Sequence, residues 1–407
     1  MATLVATPAT RFDATQGSAR PARWGAVYAM ALCSFVLVAS EFLPVSLLSP
    51  IAETLRLTEG QAGQAIAISG VFAVVTSLSF SVLLGRIDRR RVVLALIAML
   101  IVSGAMVALA PSYPVFMTGR ALLGVAIGGF WSMSAATVMR LVPAESVPTG
   151  LAILNGGATV ATTVAAPLGS LMGGLLGWRG AFFCVVPVAM VAVLWQAIAL
   201  PSMPAAPDAR RGGMIALLRR PTVLIGLSAV ALFFMGQFAL YTYLRPFLEQ
   251  VTQVGLGMLS TILLAIGLAA CVGNALVGRF VQRSLTGVLV AAPAIMAVIA
   301  VSLASFGSST VAVMALLALW GLASSAAVGW WTWVTRAAPD QAEAGGGLMV
   351  AVVQLAITLG ATVGGIVYDA SGAIVEFRAS AVVLVLAALL AALAGRSLGR
   401  FGRADPD

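Results

Sequence analysis

Twelve apolar runs, nearly all of them 20 residues or longer, follow one another along this chain with short charged loops between them. They fall at roughly 24–49, 61–84, 92–110, 114–140, 147–173 and 180–200, then at 222–248, 256–280, 285–306, 309–336, 342–369 and 375–396. About 20 apolar residues in a helix cross the hydrocarbon core of a bilayer. No water is available there to pair backbone N–H and C=O groups, so each run must close its own hydrogen bonds as a helix. The expected fold is an all-α membrane protein with 12 transmembrane helices. Composition has the same reading: 61% of the 407 residues are hydrophobic and 9% charged, against about 25% charged in a soluble domain.

The arginines orient the chain. Eighteen of the 23 basic residues lie in the tail, in alternate loops and after the last run; four (Arg56, Arg179, Arg245, Arg378) lie in the opposite loops. Positive charge collects on the cytoplasmic side, so both termini are expected in the cytoplasm of a multi-pass protein. The formal charge of +9 is then topogenic, and no nucleic-acid partner is expected. Residues 1–23 contain no short apolar core with a cleavage site, so they read as a cytoplasmic tail before an uncleaved span. A Pro- and Arg-rich linker at 201–221 separates a six-helix bundle at 24–200 from another at 222–396, and 397–407 form a second tail. The halves echo one another. Gly85-Arg86 followed by Arg89 to Arg91 returns as Gly278-Arg279 followed by Arg283; Arg140 to Pro143 returns as Arg336 to Pro339. Two pseudo-symmetric bundles with a site between them are a transporter architecture.

Several chemistries are excluded by residue type. The chain has no His, which removes imidazole-based zinc sites, Ser-His-Asp triads and His relays. Every basic residue is Arg, so no lysine Schiff base can form. No phosphate-binding Gly-rich loop is present. The protein therefore reads as a non-enzyme without metal or cofactor, energised by an ion gradient rather than ATP. Cys33, Cys184 and Cys271 all fall within apolar runs without a pairing pattern and read as small core residues.

One stretch stands apart: Ser40-Glu41-Phe42-Leu43-Pro44, inside the first run. A carboxylate at membrane depth costs roughly 2.5–3.5 kcal/mol on insertion scales, and such a group marks a functional or a hydrogen-bonded structural site. Arg120 is comparably deep in the fourth run. An ion pair or water-bridged contact between them is expected, with protonation of Glu41 loosening it and so coupling proton movement to a conformational change. Around the same depth lie Trp131 and Ser132, Asn155, Gln237, Tyr241 and Gln354. Their amides can hydrogen-bond a neutral solute and their rings can stack on a planar one; helix–helix hydrogen bonding is the rival role for each. Trp330, Trp331 and Trp333 sit close to Arg336, where some suit an interfacial belt.

Three further stretches carry organisation. Gly85 to Arg91, with Asp88, Arg89 and Arg91, joins spans two and three; Asp88 suits the N-terminus of the third helix, and the stretch reads either as a latch between halves or as topogenic charge. Gly119, Gly124, Gly128 and Gly129 suit close helix approach. Pro167 and Gly169 in the fifth run suit a kink with tight packing.

Together these stretches resemble the major facilitator superfamily and, within it, the twelve-span drug:proton antiporter branch. Gly85 to Arg91 is similar to that family's loop motif between spans two and three, although compressed and short of one glycine. Arg120 matches the basic residue of the span-four motif. Pro167 and Gly169 match part of the span-five motif, with Ala166 where glycine is usual. Glu41-Phe-Leu-Pro44, Gly128-Gly-Phe-Trp131, Gly236-Gln-Phe-Ala239, Thr242 to Pro246 and Val350 to Ala356 are similar to the bacterial purine ribonucleoside efflux group. That resemblance implies proton-driven antiport of nucleosides such as inosine and guanosine out across a bacterial inner membrane by a monomer in the lipid bilayer. Efflux of sugars or of lipophilic cations is the alternative within the family; a non-transporting receptor is the alternative outside it.

Overall fold

The structure is a computed structural model and describes residues 22–83, 87–204, 217–338 and 342–401. Most of the expected N-terminal tail, most of the linker, the end of the C-terminal tail and Gly85 lie outside the described residues. The described residues are helical almost throughout. The helices are α1 (Trp24–Leu55), α2 (Glu59–Leu83), α3 (Arg89–Ala108), α4 (Tyr113–Leu141), α5 (Val147–Phe183) and α6 (Val185–Ala199). The second half contains α7 (Pro221–Thr242), α8 (Leu244–Gln250), α9 (Leu256–Arg283), α10 (Leu285–Phe306), α11 (Thr310–Ser324), α12 (Ala327–Ala337) and α13 (Ala342–Phe401).

Among the described residues, ten helical stretches are long and apolar enough to cross a membrane. Two of them run 56 and 52 residues, about twice a span, and each contains one glycine outside helical geometry: Gly177 (φ 73, ψ 166) and Gly372 (φ 79, ψ 173). Such angles are essentially open to glycine alone, so each long stretch is two spans joined at a glycine. The twelve expected spans are recovered in this way. The remaining residues with positive φ, Arg56 and Gln253, form a second equivalent pair. Arg56 and Gln253 are 197 residues apart and Gly177 and Gly372 are 195 apart, close to the spacing of the sequence echoes. The repeat thus extends to backbone conformation.

Packing follows side-chain size. In α4, Gly124 and Gly128 lie against the backbone carbonyls of Ser69 and Ala73 on α2, where a Cβ would collide. α1 is apolar on every side and is enclosed by neighbours, as expected of a helix with no solvent face. It also runs past the expected end near residue 49 to Leu55; its last turns carry Ser49, Glu53 and Thr54, so polarity ended the apolar run before the helix ended. Large apolar side chains remain exposed along α5, α6, α10 and α13, the faces a bilayer covers.

One expectation is narrowed and one corrected. Trp330 and Trp333 are each 1% exposed and pack edge to face, with Trp333 filling the space left by Gly226; only Trp331 of the three is exposed. Cys33 is buried, but Cys184, at the turn between α5 and α6, and Cys271 are exposed rather than in the core.

Candidate functional site

The site is built on proline. A proline within a helix has no N–H for the carbonyl four residues earlier, and in a membrane that carbonyl needs another donor. Pro44 and Pro50 both lie inside α1, releasing the carbonyls of Ser40 and Ser46. Arg120 answers the first: its Nη1 donates to Ser40 O at 2.6 Å. Arg245 answers the second, donating from α8 in the opposite half to Ser46 O. Pro167 in α5 releases Thr163 O, and Gly267 of α9 lies against that carbonyl with no room for a side chain. Each of these three freed carbonyls therefore marks a helix–helix junction.

Arg120 is 1% exposed and spends its remaining donors nearby. Its Nε reaches Ala65 O at 2.9 Å, while Nη2 reaches Glu41 O and Ser69 Oγ, both at 3.0 Å. It touches Glu41 through the backbone. The expected ion pair with the carboxylate is not what these hydrogen bonds describe: Arg120 fastens α4 to α1 and α2.

The Glu41 carboxylate, 5% exposed, accepts from Gln354 Nε2 of α13 at 3.2 Å. This contact crosses from one half to the other, 313 residues along the chain. The other amide atom, Gln354 Oε1, is buried without a partner. Beside the pair, Phe42 stacks on Phe238 at 5.3 Å and 24°, and Tyr241 meets the edge of Phe238 at 6.1 Å. Phe42 also joins the cluster that holds Trp131, so one ring links Trp131 of the first half to Tyr241 of the second. Phe42 and Phe238 were absent from the sequence candidates; the alternation of their run as plain apolar residues gave no sign of the stack.

Among the described residues, none of the other candidates is hydrogen-bonded to the carboxylate. Gln237, one turn before Tyr241, has a buried Oε1 without a partner. Asn155 is exposed and donates to Leu151 O of its own helix at 2.9 Å. Pro167 is buried, and Gly169 packs so tightly against Ser46 and Leu43 of α1 that a Cβ would not fit; both serve the α1–α5 junction.

Hydrogen bonds between halves, among the described residues, all lie between mid-bundle and the end that carries Arg56, Arg179, Arg245 and Arg378. Asp369 binds Thr58 Oγ1 at 2.6 Å and the Gly60 N–H at 2.9 Å, capping the start of α2 from the opposite half. Thr362 and Gln64 meet at 3.2 Å, and Thr358 donates to Ala67 O at 3.4 Å. Ser260 and Ser170 meet at 3.0 Å. This arginine-poor end is zipped shut.

At the opposite end Asp88 caps α3, accepting from the Arg90 N–H at 2.8 Å. It also accepts from Ser202 Oγ and, at 3.1 Å, from the Met203 N–H; Arg90 donates to Ala197 O at 2.6 Å. Asp88 and Arg90 thus clamp α3 to the end of α6 and the segment after it, within the first half. Arg91 is exposed and the Arg89 N–H donates to Met203 O at 3.0 Å. The Ser202 hydroxyl, followed by the backbone donors, holds the Asp88 carboxyl below its ordinary range. A depressed carboxyl stabilises the fold above its unfolded titration and loses that contribution as pH falls through its folded value. Asp88→Asn is accordingly expected to melt below wild type at neutral pH, with the difference closing in acid below the carboxylate range; an unchanged gap on acidification would contradict the clamp.

Two bundles of six spans, zipped together around a buried acid and a ring of aromatic and amide side chains, define a membrane transporter. The family model described as Major Facilitator Superfamily matches residues 30–356, and this chain belongs to that family. It is 40% identical over 377 residues to the purine ribonucleoside efflux pump NepI of Salmonella typhimurium, covering 92% of this chain and 95% of the relative. It is 55% identical over 379 residues to the transcription regulatory protein OpdE of Pseudomonas aeruginosa, covering 92% and 94%. Among solved structures, a bacterial homologue of the human lysosomal transporter Spinster aligns with TM-score 0.75 at 17% identity, over 95% of this chain and all of that one. The nucleoside transporter NupG aligns with TM-score 0.72 at 14% identity, over 92% and 98%. These last two likenesses are of fold.

Proposed function

We propose that this protein is a proton-coupled antiporter exporting purine ribonucleosides or close analogues by alternating access, with Glu41 as the proton carrier. The observation that carries this reading is the Glu41–Gln354 hydrogen bond, an acid of one half held by the other at the centre of the seam. An ionised Glu41 enclosed with one amide donor is costly. A proton removes the charge; so do additional hydrogen bonds from a bound solute. The empty, ionised carrier is then the one form barred from closing, and it crosses either with H⁺ or with cargo. That rule is antiport.

Ribose hydroxyls and purine N–H groups supply donors for the carboxylate, while Phe42, Phe238, Tyr241 and Trp131 supply apolar faces for a planar base. The 40% identical relative named as a purine ribonucleoside efflux pump supports the same cargo. The arginine asymmetry supports both termini on the cytoplasmic side of a bacterial inner membrane, and the reading takes the working unit as a monomer. A second reading has one observation in its favour: the 55% identical relative is named as a transcription regulatory protein, which suits a sensor that binds without carrying flux.

Inverted vesicles distinguish these readings. Labelled inosine, a sugar and a lipophilic cation are each offered with and without a pH gradient, acid inside. Gradient-dependent accumulation of inosine alone is the expected result. Accumulation of the sugar or the cation instead would move the cargo assignment, and binding without flux of any of them would favour the sensor.

A further inference from the structure

A second acid is buried in this molecule, away from the seam. Glu376 lies one turn past the Gly372 break, on the last span, and is 1% exposed. Both of its carboxylate oxygens lack a hydrogen-bond partner. Among the described residues Arg245 pairs with Glu249 at this end at 2.8 Å, and Arg378, two residues past Glu376, is exposed.

Glu376 borders a small crevice of about 30 Å³ between α7 and the two parts of α13, walled by Met235, Ala239, Gly364, Val367, Ala379 and Val383. Ser380, in the same wall, already gives its hydroxyl to Gly236 O at 2.6 Å. The charged and titratable groups nearest from the packed elements are Tyr243 at the end of α7 and Tyr368 on the first part of α13; Asp369, Glu59 and Glu249 lie about the same two phenols. Tyr243 donates to Ala361 O at 2.6 Å and Tyr368 is bonded to Gln250 Oε1 at 2.9 Å. Every facing group is therefore committed elsewhere, apolar or acidic. A carboxylate in such surroundings gains nothing that offsets the loss of its water, and the neutral acid is the form that fits.

We propose that Glu376 is a second proton-binding site: a carboxylic acid that carries H⁺ while the arginine-poor end is zipped, and releases it when that end parts. On release the O–H bond breaks, its electron pair stays on the carboxylate oxygen, and H⁺ passes to water entering the crevice. Tyr243 links the two events. Its ring leaves no room for a side chain at Gly63 of the opposite half or at Gly365, and its hydroxyl holds Ala361. Parting the halves therefore pulls on the span that walls the crevice. The inference rests on neither Glu41 nor the identity of the cargo.

Dicyclohexylcarbodiimide, a lipid-soluble reagent that adds to protonated but not ionised carboxyl groups, is the probe. The full chain is treated in liposomes at about pH 7, where ordinary carboxyls are ionised, and adducts are located by peptide mass spectrometry. Glu376 is expected to be modified while the exposed Glu53 is not. The adduct should fall severalfold in Asp369→Asn, which loosens the zipped end, and persist in Glu41→Gln. Infrared spectra at the same pH should lose a protonated-carboxyl band in Glu376→Gln. Absence of the adduct in wild type, indifference to Asp369→Asn, loss in Glu41→Gln, or an unchanged infrared band would each overturn the proposal, and none of these bears on proton-driven flux through Glu41.

Discussion

Vesicles carrying Glu41→Gln are expected to accumulate no inosine against its gradient, yet still to exchange labelled for unlabelled inosine when no pH difference is imposed. Glutamine has nearly the shape of a protonated glutamic acid and never ionises. The Gln354 contact survives and the new amide oxygen still accepts from solute, but the side chain never ionises, so the empty form is no longer barred and empty and filled forms cross alike. One pH unit is worth about 1.4 kcal/mol, or a tenfold ratio for one proton exchanged per solute. Accumulation in wild type should approach that ratio per pH unit, and in the variant it should fall to one. Full pH-driven accumulation by Glu41→Gln would remove Glu41 from the mechanism. Loss of exchange as well would indicate that the substitution damaged the site rather than the coupling.

Arg120→Ala should cost roughly 3–5 kcal/mol of stability, from the lost buried packing and the charged hydrogen bonds together. The measurement is thermal or denaturant unfolding of the purified protein in micelles. The effect is large because Arg120 joins three helices through Ser40 O, Glu41 O, Ala65 O and Ser69 Oγ, and because Ser40 O is the carbonyl that Pro44 leaves without its helical donor. Arg120→Lys should recover only part of the loss, since one ammonium cannot reproduce the planar fork. Pro44→Ala supplies a discriminating control. With the helical N–H restored, Ser40 O has a donor of its own, and Arg120→Ala should cost less in that background. A loss below about 1 kcal/mol in the wild-type background would mean that the guanidinium is dispensable to the fold.

The span count was legible because each crossing needs an unbroken apolar run, and the repeat was legible because its loop residues recur in order. Glu41 and Arg120 were legible as rare charges at depth. Their partners were not, since helical periodicity does not tell which face of a span meets a residue hundreds of positions away. Gln354 stood among the amide candidates, and nothing in the sequence tied it to Glu41. Glu376 was passed over for a different reason: it opens an apolar run and stands two residues from Arg378, so it resembled loop charge. One signal was available and unused. Counting back four residues from Pro44, Pro50 and Pro167 gives Ser40, Ser46 and Thr163, whose carbonyls all proved to sit at junctions between helices.

The two carbonyls on α1 have different owners. Ser40 is tied by Arg120 of its own bundle, Ser46 by Arg245 of the other, and six residues of helix, about 9 Å, separate them. When the bundles rock apart at that end, the second knot must be untied and the first need not be. Torque on α1 is then concentrated in the single turn and a half from Glu41 to Ser46. The fulcrum of the molecule falls on the segment that also holds the acid and the Phe42 ring, so a movement of either bundle is felt at once at the site proposed for solute and proton.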